Sequence, residues 1–161
     1  MVGAVILGID PSLTSTGLAL VDGGKVIETA NIKSTGKKGA SYDDWMVRIE
    51  RVDAEVYAVL HRWREERLIE LAVIESPSHG SKYGNPHERA GLWWRIYTDL
   101  TKWRIPIKTL APKSRAKFIT GNGNADKTEV LTAARERWGE IANHDIADAV
   151  GLAMWGEEQA A

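Results

Sequence analysis

The 161-residue sequence contains no cysteine. Thiolate metal sites, disulfides and cysteine nucleophiles are therefore excluded, and the composition fits a cytoplasmic protein. No apolar run approaches the roughly 18–20 residues that span a bilayer. The N-terminal AVILGI is short and lacks a basic flank, so neither a membrane partner nor a signal peptide is expected. Histidine is scarce, with four in the chain and no cluster. A metal site made of carboxylates needs neither. A basic total is lacking too: the net charge is −1.

That neutral total hides an uneven distribution. Residues 79–117 carry a net +7, between segments 43–78 at −4 and 118–161 at −5. A central basic stretch between acidic ones can fold into a basic face for nucleic acid, or scatter over the surface. The length suits a single domain spanning residues 1–161, with one core.

Val2–Asp10 and Gly17–Val21 read as apolar strands joined by the turn residues PSLTST, and Gly23-Gly24 turns into a third strand, Lys25–Ile32. The three form an antiparallel meander. STGKKGAS is a polar loop. Ser41 and Asp44 are spaced as a capping box for a long helix reaching about Arg67. Trp45, Ile49, Val52, Val56, Val59 and Trp63 give that helix one apolar stripe. A strand at Leu71–Glu75, a helix at about His87–Trp103 and a strand at Ile105–Thr109 follow. Then come a short helix or turn at Pro112–Thr120, a helix at about Ala125–Trp138, and a last helix capped by Asn143 and reaching about Glu158. The fold class is α/β: a mixed five-stranded sheet, the meander plus parallel strands, flanked by helices.

Asp10 ends an otherwise apolar strand, and a buried carboxylate must be paired, protonated or bound to a cation. Glu75 repeats the pattern at the end of LAVI. Open α/β sheets place ligands at strand ends, although a strand-end acid also serves to cap a helix or pair with an arginine. In NHDIADAVGLA, Asp145 and Asp148 are three apart in the first turn of a helix and share a face. The helix dipole accounts for either aspartate alone, but not for both lying beside a face that packs into the core. Gly151 and the alanines would let this helix approach the sheet closely. Four carboxylates meeting without a counter-charge would repel one another, and divalent cations with oxygen ligands resolve this. Two ions about 3.5–4 Å apart suit phosphoryl displacement.

The motifs GIDPSLTSTGLAL, VIES, APKSRAKFITGNGNADKTEV and HDIADAVGLA occur in the order and at the spacing of one family. The chain resembles the RuvC family of Holliday-junction resolvases, within the RNase H-like nucleases, and the likeness spans nearly its whole length. ESPSHGSKYGNPHERAGLWWRI is similar to short bacteriophage versions, which would act in the host cytoplasm. The resemblance implies Asp10, Glu75, Asp145 and Asp148 as the metal-binding catalytic set. It also implies two Mg²⁺ ions per site, with Mn²⁺ as a substitute, and Lys127 near the active site after the GxGxA turn. A homodimer cutting four-way junctions symmetrically would leave 5′-phosphate and 3′-hydroxyl ends. Lys117 lies one place from another family lysine. The family's aromatic wedge has no clear match, Tyr83 being the only nearby aromatic, and His144 is an addition that either faces solvent or tunes the site.

Lys82, Arg89, Lys113, Arg115, Lys117, Lys37 and Lys38 are candidate phosphate contacts. Trp93 and Trp94 sit in a helix apolar on much of its circumference, one side for the sheet and the remainder for a dimer partner. Branched DNA is the expected substrate, as four-way junctions, flaps or forks. A YqgF-like RNA nuclease of the same fold and a non-catalytic DNA-binding module are the alternatives. A sugar-kinase or actin-like ATPase needs two such lobes, and this chain has length for one.

Overall fold

The computed structural model describes residues 4–78 and 84–161. Val2, Lys82 and Tyr83, which the sequence reading singled out, lie outside the described residues.

The elements follow the expected order. Strands β1 (Ala4–Asp10), β2 (Ser15–Asp22) and β3 (Lys25–Lys33) are followed by α1 (Tyr42–Glu66), β4 (Leu68–Glu75), α2 (Pro86–Lys102) and β5 (Ile107–Leu110). Helices α3 (Pro112–Thr120), α4 (Lys127–Trp138) and α5 (His144–Ala160) complete the chain. The sheet order is β3-β2-β1-β4-β5. β1 is central, antiparallel to β2 and parallel to β4, and β5 runs parallel to β4.

Several boundaries differ from the sequence reading, that of β2 among them, which begins at Ser15 rather than Gly17 because Ser15 and Thr16 pair with Lys33 and Ile32 of β3. β4 begins at Leu68 rather than Leu71, because Leu68 and Ile69 pair with Ala4 and Val5 of β1. β5 is Ile107–Leu110 rather than Ile105–Thr109; Leu110 pairs with Glu75, while Ile105 is held by a bond to the Leu100 carbonyl at the end of α2. The capping box of α1 is present, with Ser41 and Asp44 bonded reciprocally at 3.1 and 2.9 Å. α4 carries a second one, Asp126 with Glu129. Among the described residues no helix is long and apolar enough to cross a membrane.

Strand side chains alternate between faces, and this divides the core in two. Val5, Leu7, Ile9, Ala72 and Ile74 face α1 and α2, meeting Val52, Val56, Leu60 and Trp63 of α1 and Leu92, Ile96 and Leu100 of α2. Ile6, Ala19, Val21, Leu71 and Val73 face α3, α4 and α5. Asp10 and Glu75 continue the second series. Both acids therefore point to the side on which α5 lies.

α5 rests unusually close to the sheet. A Cβ at Gly8 would overlap the Ala149 carbonyl, and one at Gly17 would overlap the Asp145 carbonyl. Gly151 does not have the part expected of it. It faces α3, where a Cβ would overlap the Ile119 side chain. The close approach of α5 to the sheet rests on the strand glycines and on Gly156, where a Cβ would overlap the Val73 and Ile6 side chains, and Gly151 serves the α5–α3 contact.

Candidate active site

Each acid is positioned by its element. Asp10 and Glu75 stand at the ends of adjacent parallel strands, since Ile9 pairs with Ile74. They line a common pocket of about 150 Å³ together with Arg89, Trp93 and Pro112. Asp148 comes from the first turns of α5 and is hydrogen-bonded to Asp10. Asp145, one turn earlier, lies over Gly17, the register partner of Asp10.

The centre of this group is Arg115 of α3. Its Nη1 donates to Glu75 Oε2 and lies 3.3 Å from Asp148 Oδ2. All three side chains are only 13–14% exposed. Arg115, a candidate phosphate contact from the sequence, is thus turned toward the acids rather than out to solvent. Its guanidinium is turned inward because α3 packs against α5 at Gly151, where the Arg115 Cγ lies 3.9 Å from the position a Cβ would take. The Arg115 Nε is buried with no hydrogen-bond partner.

One guanidinium does not balance the acids. Burial raises the Asp10 carboxyl well above its ordinary range, and the charges of Glu75 and Asp148 add to this. Burial likewise pushes Glu75 up to about 7, against the opposing pull of Arg115. Asp148 is also raised by burial, again opposed by Arg115 and by its bond from Asp10.

Asp145 is held separately. Ser15 Oγ donates to its Oδ2 at 2.6 Å, Asn31 Nδ2 donates to Ser15 Oγ at 2.8 Å, and Asn143 Nδ2 donates to Asn31 Oδ1 at 3.1 Å. Asn143 also caps α5, accepting from the Ile146 N–H at 3.0 Å. The cap expected from sequence is therefore the end of a polar chain that fixes the orientation of Asp145. Ser15 and Asn31 are not among the residues the sequence singles out; their signal is a pair of small polar residues at the end of the β2–β3 hairpin away from its Gly23-Gly24 turn. His144 is half-exposed, with Nε2 3.4 Å from Asp145 Oδ1.

Trp93 Nε1 donates to the Glu75 carbonyl at 2.8 Å, tying α2 to the end of β4. Its ring meets that of Trp94 edge to face at 4.8 Å. Trp94 itself is 61% exposed.

Among the described residues, no three acidic or histidine side chains already stand as a metal-ligand group; the acids are arranged around Arg115 instead. The donor set nevertheless fits a hard divalent cation. It is all carboxylate oxygen, and burial, with neighbouring negative charge adding to it, raises three carboxyl groups.

The remaining basic candidates lie around this end of the molecule or on α1's approach. Pro112 lines the acid pocket, and Gly123 packs against the carbonyl of Lys113, so the loop before α4 sits beside the start of α3. Lys113, Lys117 and Lys127 are exposed. Arg89 lines the pocket itself. Lys37 is paired with Asp44 at 3.2 Å, and Lys38 is exposed in the same loop.

No protein-family model matches the chain. Relatives do. The crossover junction endodeoxyribonuclease RuvC of Salinibacter ruber is 31% identical over 93% of this chain and 83% of its own. RuvC of Synechococcus sp. (strain WH7803) is 30% identical over 94% and 96%. Among solved structures, Thermus thermophilus RuvC in complex with a Holliday junction substrate superposes with a TM-score of 0.74. The identity is 21%, and 98% of this chain and 95% of that one are covered. The fold is thus that of RuvC, the RNase H-like arrangement expected from the motifs. Because the likeness to the curated relatives runs through almost the whole chain rather than through one motif, the chain belongs to the RuvC family of crossover junction endodeoxyribonucleases.

Proposed function

We propose that this chain hydrolyses phosphodiesters in branched DNA, four-way junctions foremost, using divalent ions held by Asp10, Glu75, Asp145 and Asp148. The observation that carries the reading is the position of Asp10. It ends the central strand, beside Glu75 on the neighbouring strand and hydrogen-bonded to Asp148 of α5. Acids from three separate elements meet there, with the Arg115 guanidinium between Glu75 and Asp148.

Mg²⁺ or Mn²⁺ ions, when bound, supply Lewis-acid charge to the attacking and leaving oxygens of the phosphate. The chain's own residues do the rest. Asp10, the acid common to the Glu75 and Asp148 sides, would hold the ions together with both neighbours. Ser15 keeps one Asp145 oxygen oriented. Lys113, next to the Pro112 that lines the pocket, and Lys127, exposed at the start of α4, would meet phosphate oxygens and offset charge that develops on them. Arg89 at the pocket wall and Lys117, Lys37 and Lys38 further out would hold the DNA backbone, a contribution that weakens with salt. Products with 5′-phosphate and 3′-hydroxyl ends follow from water attacking with departure of the 3′-oxygen.

Symmetric cutting requires two copies. The proposed contact is the groove between α1 and α2, lined by Tyr42, Trp45, Met46, Ile49, His87 and Trp94. Tyr42 is 86% exposed and Met46 50%. Apolar area of this kind marks interaction surfaces.

The test incubates purified protein with labelled four-way, flap, fork and linear DNA and with RNA, with and without Mg²⁺, and maps the nicks. Paired, metal-dependent nicks in the junction are expected, with none from Asp10→Asn. Cleavage by Asp10→Asn at the wild-type rate would overturn the assignment of the acids, and a preference for RNA would overturn the substrate.

A further inference from the structure

We propose that Arg115 is a resident counter-cation of the acid cluster, which holds Glu75 and Asp148 together without metal and gives way when a divalent ion binds. It thereby sets the metal concentration that the site requires. The inference rests on the reading of these acids as a metal site.

Three observations carry it. First, the guanidinium lies among the acids rather than at their edge. Nη1 engages Glu75 Oε2 and lies 3.3 Å from Asp148 Oδ2, with all three side chains nearly buried. Second, the engagement is incomplete. Arginine offers five donors in a fork suited to two-point pairing with a carboxylate, yet here Nη1 makes both acid contacts and Nε is buried without a partner. A permanent strut would use the fork. Third, the pairing leaves charge over, since Asp10 stands beside Glu75 at the end of the neighbouring strand and brings a further carboxyl to the same pocket.

Arginine stays protonated at any pH a protein tolerates, so its charge cannot be shed when the ion arrives. A dication drawing Glu75 and Asp148 as ligands would stand within a few ångströms of a fixed positive charge, competing for the same oxygens. Their repulsion in a partly buried site is greater than between exposed charges. The ion must therefore displace the guanidinium, and that displacement subtracts from its affinity. In return, the acids do not spring apart when the site is empty.

The experiment measures Mn²⁺ binding by electron paramagnetic resonance and by calorimetry at pH 8. Wild type, Arg115→Met, Arg115→Lys and Asp10→Asn are compared, each also melted with and without saturating Mn²⁺. Arg115→Met keeps the apolar stem and removes the charge. It is expected to bind Mn²⁺ at least about tenfold more tightly than wild type. It should melt lower than wild type without metal and level with it in Mn²⁺. Arg115→Lys, which keeps a charge, should stay near wild type in affinity. Equal or weaker binding by Arg115→Met overturns the proposal and makes Arg115 a positioning residue that holds the ligands in place. So does a melting deficit that Mn²⁺ leaves unchanged. If Asp10→Asn binds Mn²⁺ as wild type does, or if neither wild type nor Arg115→Met binds it, the metal-site reading itself falls and takes the proposal with it.

Discussion

Gly17 sits opposite Asp10 in the β1–β2 ladder, and the space its missing side chain leaves is filled by the main chain of Asp145. Gly8, two residues before Asp10, accommodates Ala149 in the same way. These two contacts fix how near the α5 acids come to the strand acids. Gly17→Ala and Gly8→Ala should each destabilise the protein by about 1–3 kcal/mol, because the obstructing atoms are main chain and cannot rotate away. Gly17→Ala should also weaken Mn²⁺ binding, as α5 is lifted from β2. Urea unfolding and Mn²⁺ titration check the two effects.

The metal-free protein should become less stable as pH rises from about 5 to 8. Glu75 titrates near 7 in the fold and at 4.5 as an ordinary glutamate. Between those values the native state holds a proton that the unfolded chain releases. The stability this brings is fully present below the lower value and lost as pH passes the upper one. For Glu75 alone the loss is on the order of 3 kcal/mol. Asp10 and Asp148 act in the same direction. Melting temperatures across this range should slope downward without metal, slope less in Glu75→Gln, and flatten when Mg²⁺ is added.

Ser15→Ala should reduce cleavage by roughly 10–100-fold, the usual consequence of releasing a ligand's outer hydrogen bond. Asn31→Ala, one step further along the chain to Asn143, should give a smaller loss of the same kind. Both proteins should remain folded by circular dichroism. An unchanged junction-cutting rate for Ser15→Ala would mean that Asp145 needs no such support.

Replacing Met46 and Trp94 together by glutamate should convert a dimer to a monomer in analytical ultracentrifugation. Both side chains border the α1–α2 groove, and two carboxylates there would face an apolar partner surface. Paired nicking of a junction should fall with the dimer, while Mn²⁺ binding should persist.

The element order was legible because two periodicities alternate cleanly along the chain. Helix α1 has its stripe, and β1 and β4 have apolar runs that end in acids. The acids too were legible, since a charge at the end of a buried strand demands an explanation. What faced them was not. Arg115 looks like any basic residue in KSRAK, and its inward turn depends on Gly151 receiving α3. The same contact explains why Gly151 was misread: a helix period gives the face, not the neighbour that meets it. Ser15 and Asn31 are 16 positions apart and join only through the β2–β3 ladder, where Ser15 pairs with Lys33 and Gly17 with Asn31. Leu68–Glu70 lack a strong apolar run and enter β4 through the partner that β1 provides.

Trp93 and Trp94 are consecutive, one hydrogen-bonded to the carbonyl of Glu75 and the other open to the outside, their rings in contact. Whatever settles on Trp94 is separated from Glu75 by one indole pair and one hydrogen bond. Two copies joined there would have the span between their blades dictated by helix α2, so that the ruler and the scissors are built from adjoining letters of the same word.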